Sequence, residues 1–139
     1  MPQAVPGGFL IVHGLITTMI GVVAVTKPDA PALALPSWFG WWPGPFGRSW
    51  LFDALSLGTG ASVVGGLVWL AAGAALIGAG IGWLGVPGLR DLWPTLAFVG
   101  AAVGLLALAV YFHPIYLAAV LINVAIVVLL WGRLTTAIS

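Results

Sequence analysis

The sequence predicts an all-α fold, an integral membrane four-helix bundle with a long, Trp-rich interfacial loop between helices 1 and 2. Its 139 residues are 62% hydrophobic and 5% charged, whereas a soluble domain carries about 25% charged residues. So few charges cannot cover a water-facing surface, and lipid is therefore the expected surroundings of most of the chain. Because a spanning helix takes about 20 apolar residues, four of them use nearly the whole chain, and residues 1–139 form a single transmembrane domain.

Charged residues and prolines separate four apolar stretches, at about residues 8–26, 51–84, 92–112 and 115–133. Lys27 and Pro28 end the first stretch, because charges must reach water and proline cannot continue a helix. The second stretch is unusually long, since a helix of that length would reach about 50 Å against a bilayer core of about 30 Å. We expect it to tilt, to project beyond the lipid, or to bend at Gly65 and Gly66.

The loop over residues 27–50 contains five prolines and four of the eight tryptophans. Prolines at this density disfavour a regular helix, and the aromatic side chains are too apolar for a loop that is free in water. Tryptophan is typical of the headgroup level of a membrane. The loop is therefore either a simple aromatic anchor in the interface or a lid over the mouth of the bundle.

Small residues recur at intervals of four or seven along the predicted helices. Such spacing allows a neighbouring helix backbone to approach closely in lipid. The residues predicted to pack in this way are Gly14, Gly21, Gly58, Ser62, Gly66, Gly100 and Gly104.

Few polar side chains remain for ligand binding. Arg48 and Asp53 lie five residues apart at the mouth of the second stretch, where they form either an interfacial ion pair or a contact to a ligand. His113 belongs to the same membrane face and could join them, while Asn123 at mid-depth favours an interhelical hydrogen bond or a polar ligand contact. A pocket under the loop would be lined by Arg48, Asp53, His113, Asn123, Trp41 and Trp42.

The composition also excludes several kinds of site. The chain has no Cys and no Glu, so disulfides, thiolate nucleophiles and Cys-based metal sites are excluded. His13 lies about 20 Å from the face that carries His113, so the two imidazoles cannot share one metal ion. We predict no metal site, no catalytic residue and, from a net charge of +1, no nucleic-acid partner. No charged segment precedes the first stretch, so we expect it to be retained as a helix rather than cleaved.

Three short motifs carry a family resemblance. They are Phe9-Leu-Ile-Val-His13-Gly14-Leu, Gly82-Trp-Leu-Gly-Val-Pro-Gly-Leu-Arg90, and Tyr111-Phe-His-Pro114 continuing through Leu121-Ile-Asn123-Val. With the long first loop and short later ones, the chain resembles the small DoxX-like membrane proteins. The resemblance implies a four-helix bundle; DoxX itself is associated with a thiosulfate:quinone oxidoreductase, and the resemblance leaves the chemistry of this chain open. It places no catalytic residue on this sequence.

These observations lead to more than one functional hypothesis. The first is a structural or accessory subunit, or a self-assembling membrane component, that contacts lipid and forms a homo-oligomer or joins a larger membrane complex. The alternatives are a quinone- or lipid-binding, redox-associated protein with a pocket under the loop, a small transporter, and a pigment protein with one His as ligand. We expect the prokaryotic plasma (inner) membrane, with both termini in the cytoplasm, because a loop of balanced charge crosses outward more easily.

Overall fold

A computed structural model describes residues 4–34, 40–42 and 44–136, with side chains through Gly132. All regular secondary structure in these residues is helical. The helices are α1 (Ala4–Thr26), α2 (Trp50–Ala54), α3 (Gly58–Trp83), α4 (Trp93–Val110) and α5 (Leu117–Thr136), the last preceded by a 3-10 turn at Pro114–Tyr116. Within the described residues, four helices are long and apolar enough to cross a membrane, namely α1, α3, α4 and α5 with its 3-10 turn.

The four long helices pack in chain order, α1 on α3, α3 on α4 and α4 on α5. Each runs antiparallel to the one before it, so the bundle has two ends. We call the end with the start of α1 and the α3–α4 turn the terminal face. The end with the α1–α2 connection and the α4–α5 turn is the loop face.

Glycines bring α1 and α3 into backbone contact along their length. Three glycines of each helix, spaced by seven residues, lie opposite one another: Gly7, Gly14 and Gly21 against Gly80, Gly73 and Gly66. A methyl group on Gly14 would lie 2.8 Å from the carbonyl oxygen of Gly73, closer than carbon and oxygen can approach. Both rows repeat about every two helical turns, so the contact keeps its register as the helices run in opposite directions.

The other predicted packing residues occupy different environments. A methyl group on Gly100 would lie 2.9 Å from the side chain of Leu76, and one on Gly104 would lie 3.1 Å from the amide nitrogen of Asn123. The backbone oxygen of Ser62 accepts a hydrogen bond from the Tyr111 hydroxyl at 3.3 Å. A methyl group on Gly58 would have no neighbour within 4 Å among the described residues, so Gly58 makes no close helix contact within the described chain.

The structure corrects the expectation of one continuous helix over residues 51–84. The short α2 ends at Ala54, and α3 begins at Gly58. The backbone between them turns through left-handed conformations, with φ of 53° at Ser56 and 69° at Gly58, and the second is one that glycine adopts readily. The 26 residues of α3 reach about 39 Å, which fits a tilted span.

The helix α3 also runs without interruption through Gly65 and Gly66, where a bend was one of the expectations. Each glycine instead makes room for a neighbour. A side chain at Gly65 would overlap the ring of Tyr111, and one at Gly66 would lie 3.0 Å from the carbonyl oxygen of Gly21. Close approach explains these glycines, because small residues in membrane-length helices serve packing as readily as flexibility.

The glycine contact gives a stability prediction. We expect Gly73→Ala to lower the free energy of unfolding by about 1–3 kcal/mol, because an added methyl group forces two packed backbones apart. That methyl would lie 2.8 Å from the carbonyl oxygen of Gly14. The measurement is unfolding in detergent, followed by tryptophan fluorescence.

Gly60→Ala is the matched control, since Gly60 belongs to the same helix and a methyl group there would have no neighbour within 4 Å. Alanine favours helix over glycine by about 1 kcal/mol, so the control should be neutral or stabilising. Equal destabilisation by both variants would contradict a specific α1–α3 contact.

Candidate functional site

The end of the Trp-rich loop is fixed to the last turn of α4. Ser49 Oγ donates a hydrogen bond to the carbonyl oxygen of Val110 at 2.8 Å, and Trp50 Nε1 donates to that of Ala109 at 2.9 Å. The same Ser49 oxygen accepts from the backbone N–H of Phe52 and so caps α2. The last carbonyls of a helix have no partner within it, and the loop supplies donors for two of them.

Arg48 and Asp53 form the ion pair that their spacing predicts. Arg48 Nη2 donates to Asp53 Oδ1 at 2.6 Å, and the two side chains are 42% and 40% exposed. Exposed pairs contribute about 0–1 kcal/mol to stability, so this pair matters more for where it places charge. Burial, and secondly the charge of Asp53, raise the pKa of Tyr111 above its ordinary value of 10.0.

Three neighbouring cavities lie at the loop face. The first, which we call the polar cavity, has a volume of about 390 Å³. Its polar lining comes from three segments: Asp29 near the start of the loop, Arg48 and Asp53 around α2, and Ser56, Thr59 and Ser62 around the start of α3.

The second, the tryptophan cavity, has a volume of about 780 Å³ and shares Arg48 and Asp53 with the polar cavity. Its aromatic walls are Trp42 and Trp50. These two rings also line the third, the α4 groove of about 330 Å³, together with Leu105, Leu108, Phe112 and Val120. The ion pair and the two tryptophans therefore connect a polar site to an apolar one.

The two predicted tryptophans behave differently. Trp42 lines two cavities and packs its edge on Phe112 with ring centroids 4.9 Å apart. Trp41 is 67% exposed and makes an edge contact with Trp42. The neighbouring residues 35–39 and 43, which include Trp38, lie outside the described residues.

His113 has a structural position beside these cavities. Its Nδ1 accepts a hydrogen bond from the backbone N–H of Ile115 at 3.2 Å, and this caps the 3-10 turn before α5. Its ring packs against Phe46 with centroids 5.3 Å apart. Burial lowers the pKa of His113 below 6.5. His113 lines none of the three loop-face cavities, so the structure does not bring it into the site of Arg48 and Asp53.

Asn123 makes an interhelical hydrogen bond, as its depth in the chain predicts. His13 Nε2 lies 2.9 Å from Asn123 Oδ1, and the residues are 7% and 2% exposed. Because an amide oxygen only accepts, Nε2 carries the proton and donates. The bond joins α1 to α5 and removes Asn123 from the pocket expected under the loop. Sequence reasoning missed His13 as the partner, although both are isolated polar residues inside apolar stretches.

An apolar groove of about 460 Å³ lies at the terminal face, and we call it the terminal groove. It is bounded by α1, by the adjoining ends of α3 and α4, and by α5. Its principal lining residues are Val5, Phe9, Leu10, Trp83, Trp93, Ala97, Ile126 and Leu130. Trp83 and Trp93 meet edge to face with centroids 4.4 Å apart.

Protein-family models, curated proteins and solved structures give no match to this chain. The described residues contain no group of three or more His, Asp or Glu side chains that could hold a metal ion.

The His13–Asn123 bond gives a second stability prediction. His13→Phe or Asn123→Leu leaves one buried polar group unpaired, and each should cost about 1–3 kcal/mol of unfolding free energy. The double variant should cost less than the sum, with a coupling of about 1 kcal/mol. Unfolding titrations of the four proteins measure that coupling.

Thr26→Val serves as the polar-to-apolar control, because the Thr26 hydroxyl bonds the carbonyl of Val22 in its own helix. We expect Thr26→Val to change the free energy of unfolding little. Strictly additive effects of the His13 and Asn123 substitutions would show that the bond does not hold α1 and α5 together.

Proposed function

We propose that the protein is an integral membrane accessory protein that holds the hydrocarbon chain of a lipid or quinone in the terminal groove and performs no chemistry of its own. The observation that carries this proposal is the groove itself. Ligand sites are typically concave and mostly apolar, with a few polar groups that fix orientation.

The lining of the groove fits a chain rather than a polar solute. Phe9 and Leu10 of α1 face Ile126 and Leu130 of α5 across it. At the rim, Trp83 ends α3 and Trp93 begins α4, the position at which tryptophan marks a membrane interface. A bilayer offers hydrocarbon chains at this depth, and water would gain no hydrogen bonds there.

The inner end of the groove lies near a buried polar pair between α1 and α5. His13 is three residues beyond Leu10, and Asn123 three residues before Ile126, each about 4.5 Å along its helix. Phe9 lines the groove, and its ring stacks on the ring of His13 with the centroids 6.1 Å apart. A lipid ester or quinone carbonyl that reached this depth would meet a polar pair instead of more hydrocarbon.

The glycine contacts bear on the competing hypothesis of self-assembly. Small residues drive helix association in lipid, and most of the glycines that motivated that hypothesis contact other helices of the same chain. Gly14, Gly21, Gly66, Gly100 and Gly104 all have neighbours so close that a methyl group would displace them. A chain-binding role therefore has the more direct support.

One observation still favours an accessory subunit that contacts other proteins. Only 11% of the most apolar stretch of α5 and its 3-10 turn is buried, against 44% in α3. The outward side chains of α5 include Leu121, Val128 and Leu129, large residues that suit lipid as well as a partner helix. We keep this role as the second candidate, with photo-crosslinking from position 121 in intact membranes as its test.

Filling the groove tests the first proposal. We expect Ile126→Trp to abolish retention of a co-purifying lipid or quinone, because an indole occupies the space of the chain. Native mass spectrometry in mild detergent measures the retained mass. Leu121→Trp is the matched control, since Leu121 is 70% exposed on the same helix and does not line the groove. A wild-type protein that carries no ligand, or equal loss in both variants, would defeat the proposal.

We further propose that the chain resides in the prokaryotic inner membrane with its termini in the cytoplasm. Lys27 and Arg48 belong to the loop face and Arg90 and Arg133 to the terminal face, so the positive-inside rule is balanced. The connection between α1 and α3 carries the charge pair of Arg48 and Asp53, so this balanced segment crosses the membrane at lower cost. A green fluorescent protein fused after Ser139 should fluoresce in cells, and a periplasmic reporter at the same position should be silent. The opposite pattern would show that the C-terminus lies outside the cytoplasm and would contradict the proposed orientation.

A further inference from the structure

The polar cavity at the loop face differs in kind from the terminal groove. We infer that it is a headgroup site for a phospholipid that carries a protonated amine beside its phosphate. The inference does not depend on the terminal groove, which lies at the other face and is lined by different residues.

Charge selects the amine. The charged residues that line the cavity are Asp29, Asp53 and Arg48. Arg48 pairs with Asp53 at 2.6 Å, while Asp29 has no ion-pair partner within the described part of the chain. Among the residues that line the cavity, one carboxylate is therefore in excess, which attracts an ammonium group and repels an anionic headgroup. Ser56 and Thr59 also line this cavity, and their hydroxyls can accept hydrogen bonds.

Arg48 supplies hydrogen-bond donors for the phosphate. Its Nη2 is bound to Asp53, and the planar guanidinium carries further N–H donors in a fixed fork. Arginine binds phosphate in this way with more geometric specificity than lysine, since two parallel hydrogen bonds form. The lining thus includes N–H donors of Arg48 for a phosphate and the carboxylate of Asp29 for the amine, which matches the two charges of an ethanolamine-type headgroup.

The connected cavities indicate a lipid rather than a soluble amine. Arg48 and Asp53 also line the tryptophan cavity. Trp42 and Trp50 of that cavity line the α4 groove with Phe112. The order along this path is charged, aromatic and then apolar, the same order as the headgroup, the interfacial region and the chain of a phospholipid. A soluble amine would occupy only the polar cavity.

The test uses the full chain in mild detergent with an equimolar mixture of phosphatidylethanolamine and phosphatidylglycerol that have identical chains. Native mass spectrometry counts each bound lipid. We expect the wild type to favour phosphatidylethanolamine by about tenfold, as for one charge-assisted hydrogen bond. Asp29→Asn should bring the ratio close to one. Equal binding of both lipids by the wild type would overturn the inference.

Two control variants separate this site from other effects. Asp91→Asn removes an exposed carboxylate at the terminal face and should leave the lipid ratio unchanged; a loss equal to that of Asp29→Asn would overturn the inference. Ile126→Trp, which fills the terminal groove, should lower total lipid retention while phosphatidylethanolamine stays favoured, because the apolar groove does not select a headgroup; loss of that preference would overturn the inference. If soluble glycerophosphoethanolamine displaces the bound lipid at equal concentration, the lipid chain adds nothing to the affinity. The assignment of the cavity to a phospholipid then fails.

Discussion

The backbone contact between α1 and α3 is the constraint on which the rest of the bundle depends. Helices in lipid gain little from burying more hydrocarbon, so their association depends on close van der Waals packing. The two glycine rows meet this need because Gly7, Gly14 and Gly21 of α1 each lie against a glycine carbonyl oxygen of α3. Contacts spaced over about 21 Å of helix fix both the distance and the direction of the pair. A rigid α1–α3 unit then serves as the support on which α4 packs.

The opposite side of the bundle is built differently. The helix α5 packs on α4 and reaches α1 through the His13–Asn123 bond. Asn123 fits there because Gly104 of α4 leaves room beside its amide nitrogen. A close α1–α3 contact and a loose α1–α5 contact leave unequal space around the bundle, and the terminal groove occupies the looser side. The groove therefore follows from the glycine contacts that bring α1 close to α3 and from the lack of similar contacts between α1 and α5 in the described residues.

The sequence predicts the four membrane-length helices well, because apolar length between charges and prolines is a local property. It also predicts the Arg48–Asp53 pair and the hydrogen-bonded state of Asn123, since few partners exist and a buried amide must be satisfied. It does not predict the break before Gly58, because Ser56 takes a left-handed backbone that its residue type does not require. Nor does it identify His13 as the partner of Asn123, because that pairing depends on which helices adjoin in space.

The Trp-rich loop shows how a local requirement shapes a larger site. The last carbonyls of α4 need donors, and Ser49 and Trp50 provide them. This fixes the start of α2, and with it the positions of Arg48 and Asp53, at the edge of α3. The bonds from Ser49 and Trp50 to α4 hold the charged pair between a polar and an aromatic cavity, so the attachment of the loop also shapes the candidate site. The Arg48–Asp53 pair lies at the loop face, whereas the terminal face carries an apolar groove near the His13–Asn123 bond, so the two faces offer a ligand different chemistry.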